Sequence, residues 1–258
     1  GTYRYVDGKL PGQDLPGVIP ALPFLVANAR AVLGTDGVQG RPIAGWAQPM
    51  ALPDLAGQRV IVLGGGDTGM DCVRTAIRLG AASVTCVYRR DESAMPGSRR
   101  EVKNARDEGV QFLFNSAPLA IEGSDGVTGL RIVETRAGAP DARGRRSPEP
   151  IMGSEQVLAA DTIIIAFGFQ PDPPDWLGAQ GVGLHGSGLV DVDAAPADPA
   201  AGAIGDPAPD RAKRLRFQTT HPKIFAGGDM VRGADLVVTA VADGRDAGRA
   251  IAGWLRRA

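Results

Sequence analysis

The chain has 258 residues, a length for one or two domains at about 150 residues each. Lys and Arg total 28 against 29 Asp and Glu, a net charge of −1. That balance argues against a nucleic-acid binder working through bulk positive charge and against a polybasic membrane anchor. The 43% apolar content can supply a core, which excludes wholesale disorder. The 36 glycines and 20 prolines follow no three-residue period, so collagen is excluded and they read as turn chemistry. Two cysteines, Cys72 and Cys86, are too few for a disulfide scaffold or for an iron–sulfur cluster held by this chain alone. No apolar run is long enough to span a bilayer, and a reducing, cytoplasmic setting is expected. The chain opens at Gly1-Thr2-Tyr3 rather than at Met, which suggests a fragment.

Residues 1–56 read as irregular, with Pro11, Pro16, Pro20, Pro23, Pro42, Pro49 and Pro53, apart from one helix over Pro20–Leu33 that Gly34 stops. The pattern then changes. Arg59–Gly64 (RVIVLG) reads as a buried strand, Thr68–Leu79 as a helix ended by Gly80, and Ser83–Arg90 as a second strand. Together they make one βαβ unit with parallel strands. A helix over Ser98–Glu108 and a strand at Val110–Phe114 follow. Gly129–Glu134 and Glu155–Ala159 read as antiparallel strands, with the polar Gly138–Gly153 as their exposed connection. Asp161–Ala166 is another buried strand. Residues 170–215 show no strong period. Ile224–Ala226 reads as a short strand into Gly227-Gly228-Asp229, and Leu236–Leu255 as a closing helix.

Gly64-Gly65-Gly66-Asp67-Thr68-Gly69 fits G-x-G-x-x-G between a predicted strand and a predicted helix. Gly64 permits the tight turn, Gly66 lets the backbone approach a pyrophosphate, and Gly69 allows close helix–strand packing. The helix start offers N–H groups and partial positive charge to the phosphates. The bland alternative is a glycine-rich turn with no ligand. Where an NAD site carries Asp or Glu some 20 residues on, this chain carries Arg89 and Arg90. Two guanidinium groups attract a ribose 2′-phosphate, and Arg99, Arg100 and Lys103 on the next helix add to the field. Charge-assisted hydrogen bonds are worth about 1.5–3 kcal/mol each, so NADPH is expected over NADH. The alternative is a solvated basic turn paired with Asp91 and Glu92.

In Ile224–Ile251, Asp229 ends a strand where it can accept from a ribityl hydroxyl. The N–H groups near Leu236–Val238 can face the electron-rich side of a flavin ring. Asp229 as an ordinary cap is the alternative. Cys72 and Cys86 lack C-x-x-C spacing and read as buried, inert thiols. His185 and His221 read as structural or surface residues, and no acid or base is assigned.

With these residues in view, the chain resembles the small (β) subunits of NADPH-dependent glutamate synthase and a related module of dihydropyrimidine dehydrogenase. The resemblance is carried by LPFLVAN (Leu22–Asn28), VIVLGGGDTGMDCVRTAIRLGA (Val60–Ala81), CVYRRDESAMPGSRREVKNARDEG (Cys86–Gly109), IIIAFGFQP (Ile163–Pro171) and FQTTHPKIFAGGDMVRGADLVVTA (Phe217–Ala240). It implies an α/β fold of two nested Rossmann-like dinucleotide-binding domains, an NADPH domain inserted in a discontinuous, N-terminally truncated FAD domain. Residues 57–165 would be the NADPH domain, 1–56 part of the FAD domain and a linker, and 166–258 its C-terminal part.

By the same resemblance Gly65, Gly66, Asp67 and Thr68 face the NADPH pyrophosphate, and Arg89 and Arg90 its 2′-phosphate. Ala166, Phe167 and Gly168 lie beside the nicotinamide half. Gly228, Asp229, Asp235, Leu236 and Val237 contact FAD. The family usually has Ala where this chain has Gly69, a mild change between small residues. The family's own FAD glycine fingerprint and its cysteine-rich iron–sulfur region do not occur in these residues. The implied activity is NADPH oxidation through FAD towards iron–sulfur centres and a large subunit that makes glutamate. Another NADPH-dependent flavoprotein of this architecture, such as a ferredoxin–NADP reductase, or a non-catalytic NADPH-binding module, are the alternatives.

Overall fold

Strand β3 (Arg59–Leu63) sets the architecture, because four of its five residues are buried and neither face meets water. The structure is a computed structural model that describes residues 1–2, 4–35, 50–140, 146–193 and 215–256. Pro42, Pro49, residues 141–145 of the expected connection and 194–214 of the aperiodic stretch lie outside the described residues. Before β3 come β1 (Arg4–Tyr5), β2 (Val18–Pro20) and α1 (Ala21–Val32). After it come α2 (Asp67–Arg78), β4 (Ser83–Val87), α3 (Arg99–Asp107), β5 (Gln111–Leu113), β6 (Ser116–Gly123) and β7 (Val127–Pro140). Then follow β8 (Arg146–Pro150), β9 (Gln156–Ala159), β10 (Thr162–Ile165), β11 (Phe169–Gln170), α4 (Asp175–Ala179), α5 (Asp229–Arg232) and α6 (Val237–Leu255).

The chain divides into two compact units, Asp7–Gly168 and Gly1–Val6 with Phe169–Ala258. In the first, a five-stranded sheet runs in the order β2-β10-β3-β4-β5, with every pair parallel. Alternation along β3 splits the core. Val60 and Val62 pack with Phe24 of α1, and with Met70 and Val73 of α2. Ile61 and Leu63 pack on the other face with Ile121, Leu130 and Ile132 of an antiparallel sheet formed by β6, β7 and β9. Fully burying one such aliphatic side chain is worth about 1.5–3 kcal/mol, which explains why these runs are continuously apolar. In the second unit, β1 pairs antiparallel with β11, and a small cluster of Leu177, Val182, Val190 and Val192 takes Ile224, Ala226, Met230 and Val231 against it.

The described residues of 7–56 fall in the Asp7–Gly168 unit, β2 adding to β10 of the parallel sheet and α1 packing on α2. Three expectations are corrected. Within the connection expected over 138–153, residues 138–140 and 146–150 are strand: β7 runs on to Pro140 and β8 pairs with it, Thr135 opposite Pro150 and Ala137 opposite Pro148. Prolines are tolerated there because β8 is an edge. Strand β4 ends at Val87, so the two arginines stand beyond it in a turn. The strand expected at Ile224–Ala226 is a single bridge between Gln218 and Phe225. Among the described residues no helix is long and apolar enough to cross a membrane.

Cys72 and Cys86 are free and buried. Burial pushes the Cys86 thiol up to about 12 and Cys72 in the same direction. Both should therefore resist a thiol–disulfide reagent at about pH 8 until the chain unfolds. Prompt labelling of either in the folded protein would contradict their placement.

Candidate functional site

Strand β3 runs directly into Gly64, whose φ of 134° suits glycine alone. A β-carbon there would stand 2.2 Å from the carbonyl oxygen of Ala166, the residue that follows β10. Here the strand order reverses, β4 continuing to one side of β3 and β10 lying on the other. Open α/β sheets take their ligands in the crevice at such a switch point, outside the carboxyl ends of the strands. A β-carbon on Gly69 would lie 2.6 Å from the Gly64 carbonyl oxygen, so an alanine there, expected to be mild, requires that peptide to shift. At Gly66 a β-carbon would meet nothing within 4 Å. The backbone is open there. No side chain caps α2, so its first amides and the positive end of its dipole face outward together.

The chain after β4 is fastened to this turn. Gly97 N–H donates to the Gly65 carbonyl at 2.9 Å, and Ser98 N–H donates to Asp67 Oδ1 at 2.8 Å. The Asp67 carboxylate thus ties down the approach to α3, and its contribution at the helix start is a backbone amide. Tyr88 lies against Gly65 and donates its hydroxyl to the Ala94 carbonyl at 2.8 Å.

Arg89 is exposed and Arg90 half-buried. The Nε of Arg90 is buried with no hydrogen-bond partner. The partners that a merely solvated basic turn would use are engaged elsewhere. Asp91 accepts from Ser93 Oγ and from Ala94 N–H, which hold its carboxyl below the usual carboxylate range. Glu92 is gripped by both terminal nitrogens of Arg106 at 2.7 Å, which lowers it likewise. Lys103 pairs with Asp107 along α3. Arg99 and Arg100 are exposed at the start of α3.

Ala166 closes on Gly64 as described, and Phe167 lays its ring on Gly8, where a β-carbon would be 2.3 Å from it. Gly168 has φ 91° with open space around it. In the second unit, Gly228 (φ 69°) precedes Asp229, whose Oδ2 accepts from Thr2 Oγ1 at 3.3 Å. Asp235 accepts from Leu236 N–H at 2.7 Å and from Thr239 Oγ1 at 2.9 Å, which lowers its carboxyl. Leu236 and Val237 are 62% and 76% exposed at the uncapped start of α6. With the Leu236 amide taken by Asp235, this helix start presents exposed aliphatic surface from Leu236 and Val237.

Several residues that organise these places escape sequence reasoning. Thr135 and Asn115 hold the backbone of Arg89 and Arg90. Asp243 of α6, buried, accepts from Gly228 N–H. Hydrophobic periodicity marks none of them, since each is a polar residue whose partner is remote in sequence. His185 stands 3.8 Å from Asp191, and His221 Nδ1 accepts from Lys223 N–H.

A parallel sheet with an open glycine turn at its switch point and paired arginines beyond the next strand defines a dinucleotide-binding oxidoreductase fold. Residues 27–244 match the pyridine nucleotide-disulphide oxidoreductase family, and the chain belongs to it. It is 53% identical over 255 residues to the glutamate synthase [NADPH] small chain of Halomonas elongata, covering 99% of this chain and 48% of that protein. The Escherichia coli protein of the same name is 49% identical over 257 residues, covering 99% and 49%. The chain therefore spans about half the length of these relatives. Mycobacterium tuberculosis FprA in complex with NADPH has the same fold, with a TM-score of 0.68 at 16% identity over 100% of this chain and 63% of that one.

Proposed function

We propose that the Asp7–Gly168 unit is an NADPH-binding domain, wider than the 57–165 of the sequence reading. Gly64 shapes its turn, and the amides of Gly65, Gly66, Asp67 and Thr68 take the pyrophosphate. Arg89 and Arg90 take the 2′-phosphate, and Ala166, Phe167 and Gly168 border the nicotinamide half. Gly228, Asp229, Asp235, Leu236 and Val237 belong to an FAD site that the remainder of a longer protein completes. FAD, when bound, supplies two-electron acceptance and one-electron release. The chain's own residues bind and orient: an uncapped helix start neutralises phosphate charge, and two guanidiniums select the phosphorylated ribose.

The names of the relatives support the further reading that the whole protein is a small subunit of glutamate synthase, and we place it in the cytoplasm. In that role it oxidises NADPH and delivers electrons, through iron–sulfur centres outside these residues, to a large subunit that makes glutamate. The observations that carry the reading are the open backbone at Gly66 and, beyond β4, an Arg90 Nε with no hydrogen-bond partner. Calorimetric titration of the chain with NADPH and with NADH tests it. A preference for NADPH of tenfold or more is expected, and equal affinities would overturn it. Visible flavin absorbance after purification separates a chain that retains FAD from a colourless NADPH-binding module.

A further inference from the structure

The two arginines sit on a stretch of backbone whose carbonyls are all taken. Beyond the end of β4, Ser116 N–H donates to the Tyr88 carbonyl at 3.1 Å and Asn115 N–H to the Arg90 carbonyl at 3.0 Å. The carbonyl between them, that of Arg89, accepts from the side chain of Thr135 at 2.8 Å. Thr135 lies in the middle of β7 and is only 6% exposed. Its own N–H donates to the Asn115 carbonyl at 2.7 Å, and Asn115 is held at φ 52°. One residue therefore locks both the turn that supports Arg90 and the carbonyl of Arg89. Of these contacts only the one from Thr135 Oγ1 is made by a side chain, so it alone can be removed by substitution without altering the backbone.

We infer that Thr135 is a positioning residue for 2′-phosphate recognition, setting from the antiparallel sheet the direction in which Arg89 and Arg90 leave the parallel one. The inference rests on the proposed NADPH reading. Without the hydroxyl, the Arg89 carbonyl loses the donor that fixes it. The peptide between Arg89 and Arg90 then rotates to find another donor, and each guanidinium loses the direction its backbone sets. A planar fork is effective on phosphate only when its direction is fixed. The hydrogen bonds of Thr135 go to Arg89 and Asn115, so the glycine turn and the α2 amides should be indifferent to it.

Calorimetry on the full 258-residue chain, with 2′,5′-ADP and 5′-ADP as separate probes, tests the inference in wild type, T135V, T135S and R89A. T135V is expected to weaken 2′,5′-ADP by roughly 3- to 10-fold and leave 5′-ADP within about twofold, the loss that one hydrogen bond explains. T135S, which keeps the donor, should match wild type. Equal weakening of both probes by T135V, no weakening of either, or a T135S that behaves as T135V would overturn the inference while R89A still selectively loses 2′,5′-ADP. Should wild type fail to discriminate the two probes, the 2′-phosphate reading itself falls, and the role of Thr135 falls with it. Thermal melts of the variants by circular dichroism identify an unfolded chain, which would lose both probes together.

Discussion

Arg90→Ala should weaken NADPH binding by about 100-fold and Arg89→Ala by about 10-fold, with NADH altered less than twofold by either. The asymmetry follows from environment. A charge-assisted hydrogen bond is worth about 1.5–3 kcal/mol, and solvent and salt push an exposed pair towards the lower figure. Arg89 is exposed, whereas Arg90 is half-buried with its Nε out of water. The substitutions are clean because both arginines are fastened through their carbonyls, to Thr135 and Asn115, and alanine keeps those carbonyls. Neither side chain makes an ion pair among the described residues, so truncation strands no acidic partner. Titration at two salt concentrations adds a second discriminant. The wild-type preference for NADPH should shrink as salt rises, and the double variant should lose most of that dependence. If NADH binding falls in parallel with NADPH, the arginines are supporting the turn rather than reading a phosphate.

The β3–α2–β4 unit and its glycine turn were legible because every signal there is local. A five-residue strand buried on both faces leaves an uninterrupted apolar run, and a glycine must stand where φ reaches 134°. Both helix ends nearby are marked, α1 by Gly34 and α2 by Gly80. The antiparallel layer was only half legible. Strand β6 carries Pro118 and Gly123, with register shifts at Pro118/Ala120 and Glu122/Gly123, so its alternation is broken where a reader would count it. Strand β8 reads Arg-Ser-Pro-Glu-Pro, a loop by composition, and pairs only because it is an exposed edge along the extended end of β7. Arg89 and Arg90, expected at the tip of the second strand, stand beyond it, since β4 ends at Val87. Asn115, in the left-handed region, turns the chain out of β5, and the ladder beside Tyr88 becomes irregular there. What sequence conveys least is a polar side chain that serves a backbone group far along the chain: Thr135 for Arg89, Asp67 for Ser98, Asp243 for Gly228.

Asp243→Ala should cost the Gly1–Val6 and Phe169–Ala258 unit about 3–5 kcal/mol, the price of breaking a buried ion pair from one side. Asp243 is 2% exposed. Its carboxylate accepts from Arg232 Nε at 2.6 Å, Arg232 Nη2 at 2.8 Å and Gly228 N–H at 3.1 Å. Alanine removes all three acceptances and leaves the Gly228 amide, at φ 69°, without its acceptor. Gly228 and Asp229 are proposed FAD contacts, so the same residue that stabilises this unit also holds that loop. The pH dependence has a definite sign. The Arg232 guanidinium, and after it the Gly228 amide, hold the Asp243 carboxyl below the usual carboxylate range. Its stabilisation is therefore fully present above the unfolded value of 3.8 and is lost as pH falls through the lower folded value. Between those values the unfolded chain binds the extra proton, and stability falls with acid. Urea unfolding of wild type and D243A from about pH 7 down to about pH 2, followed by hydrogen exchange of the α5 and α6 amides, reads this directly. The gap between the two proteins should be constant near neutrality and close in the acid limb. A gap that stays open at the lowest pH would mean that Asp243 acts through packing and not through its charge.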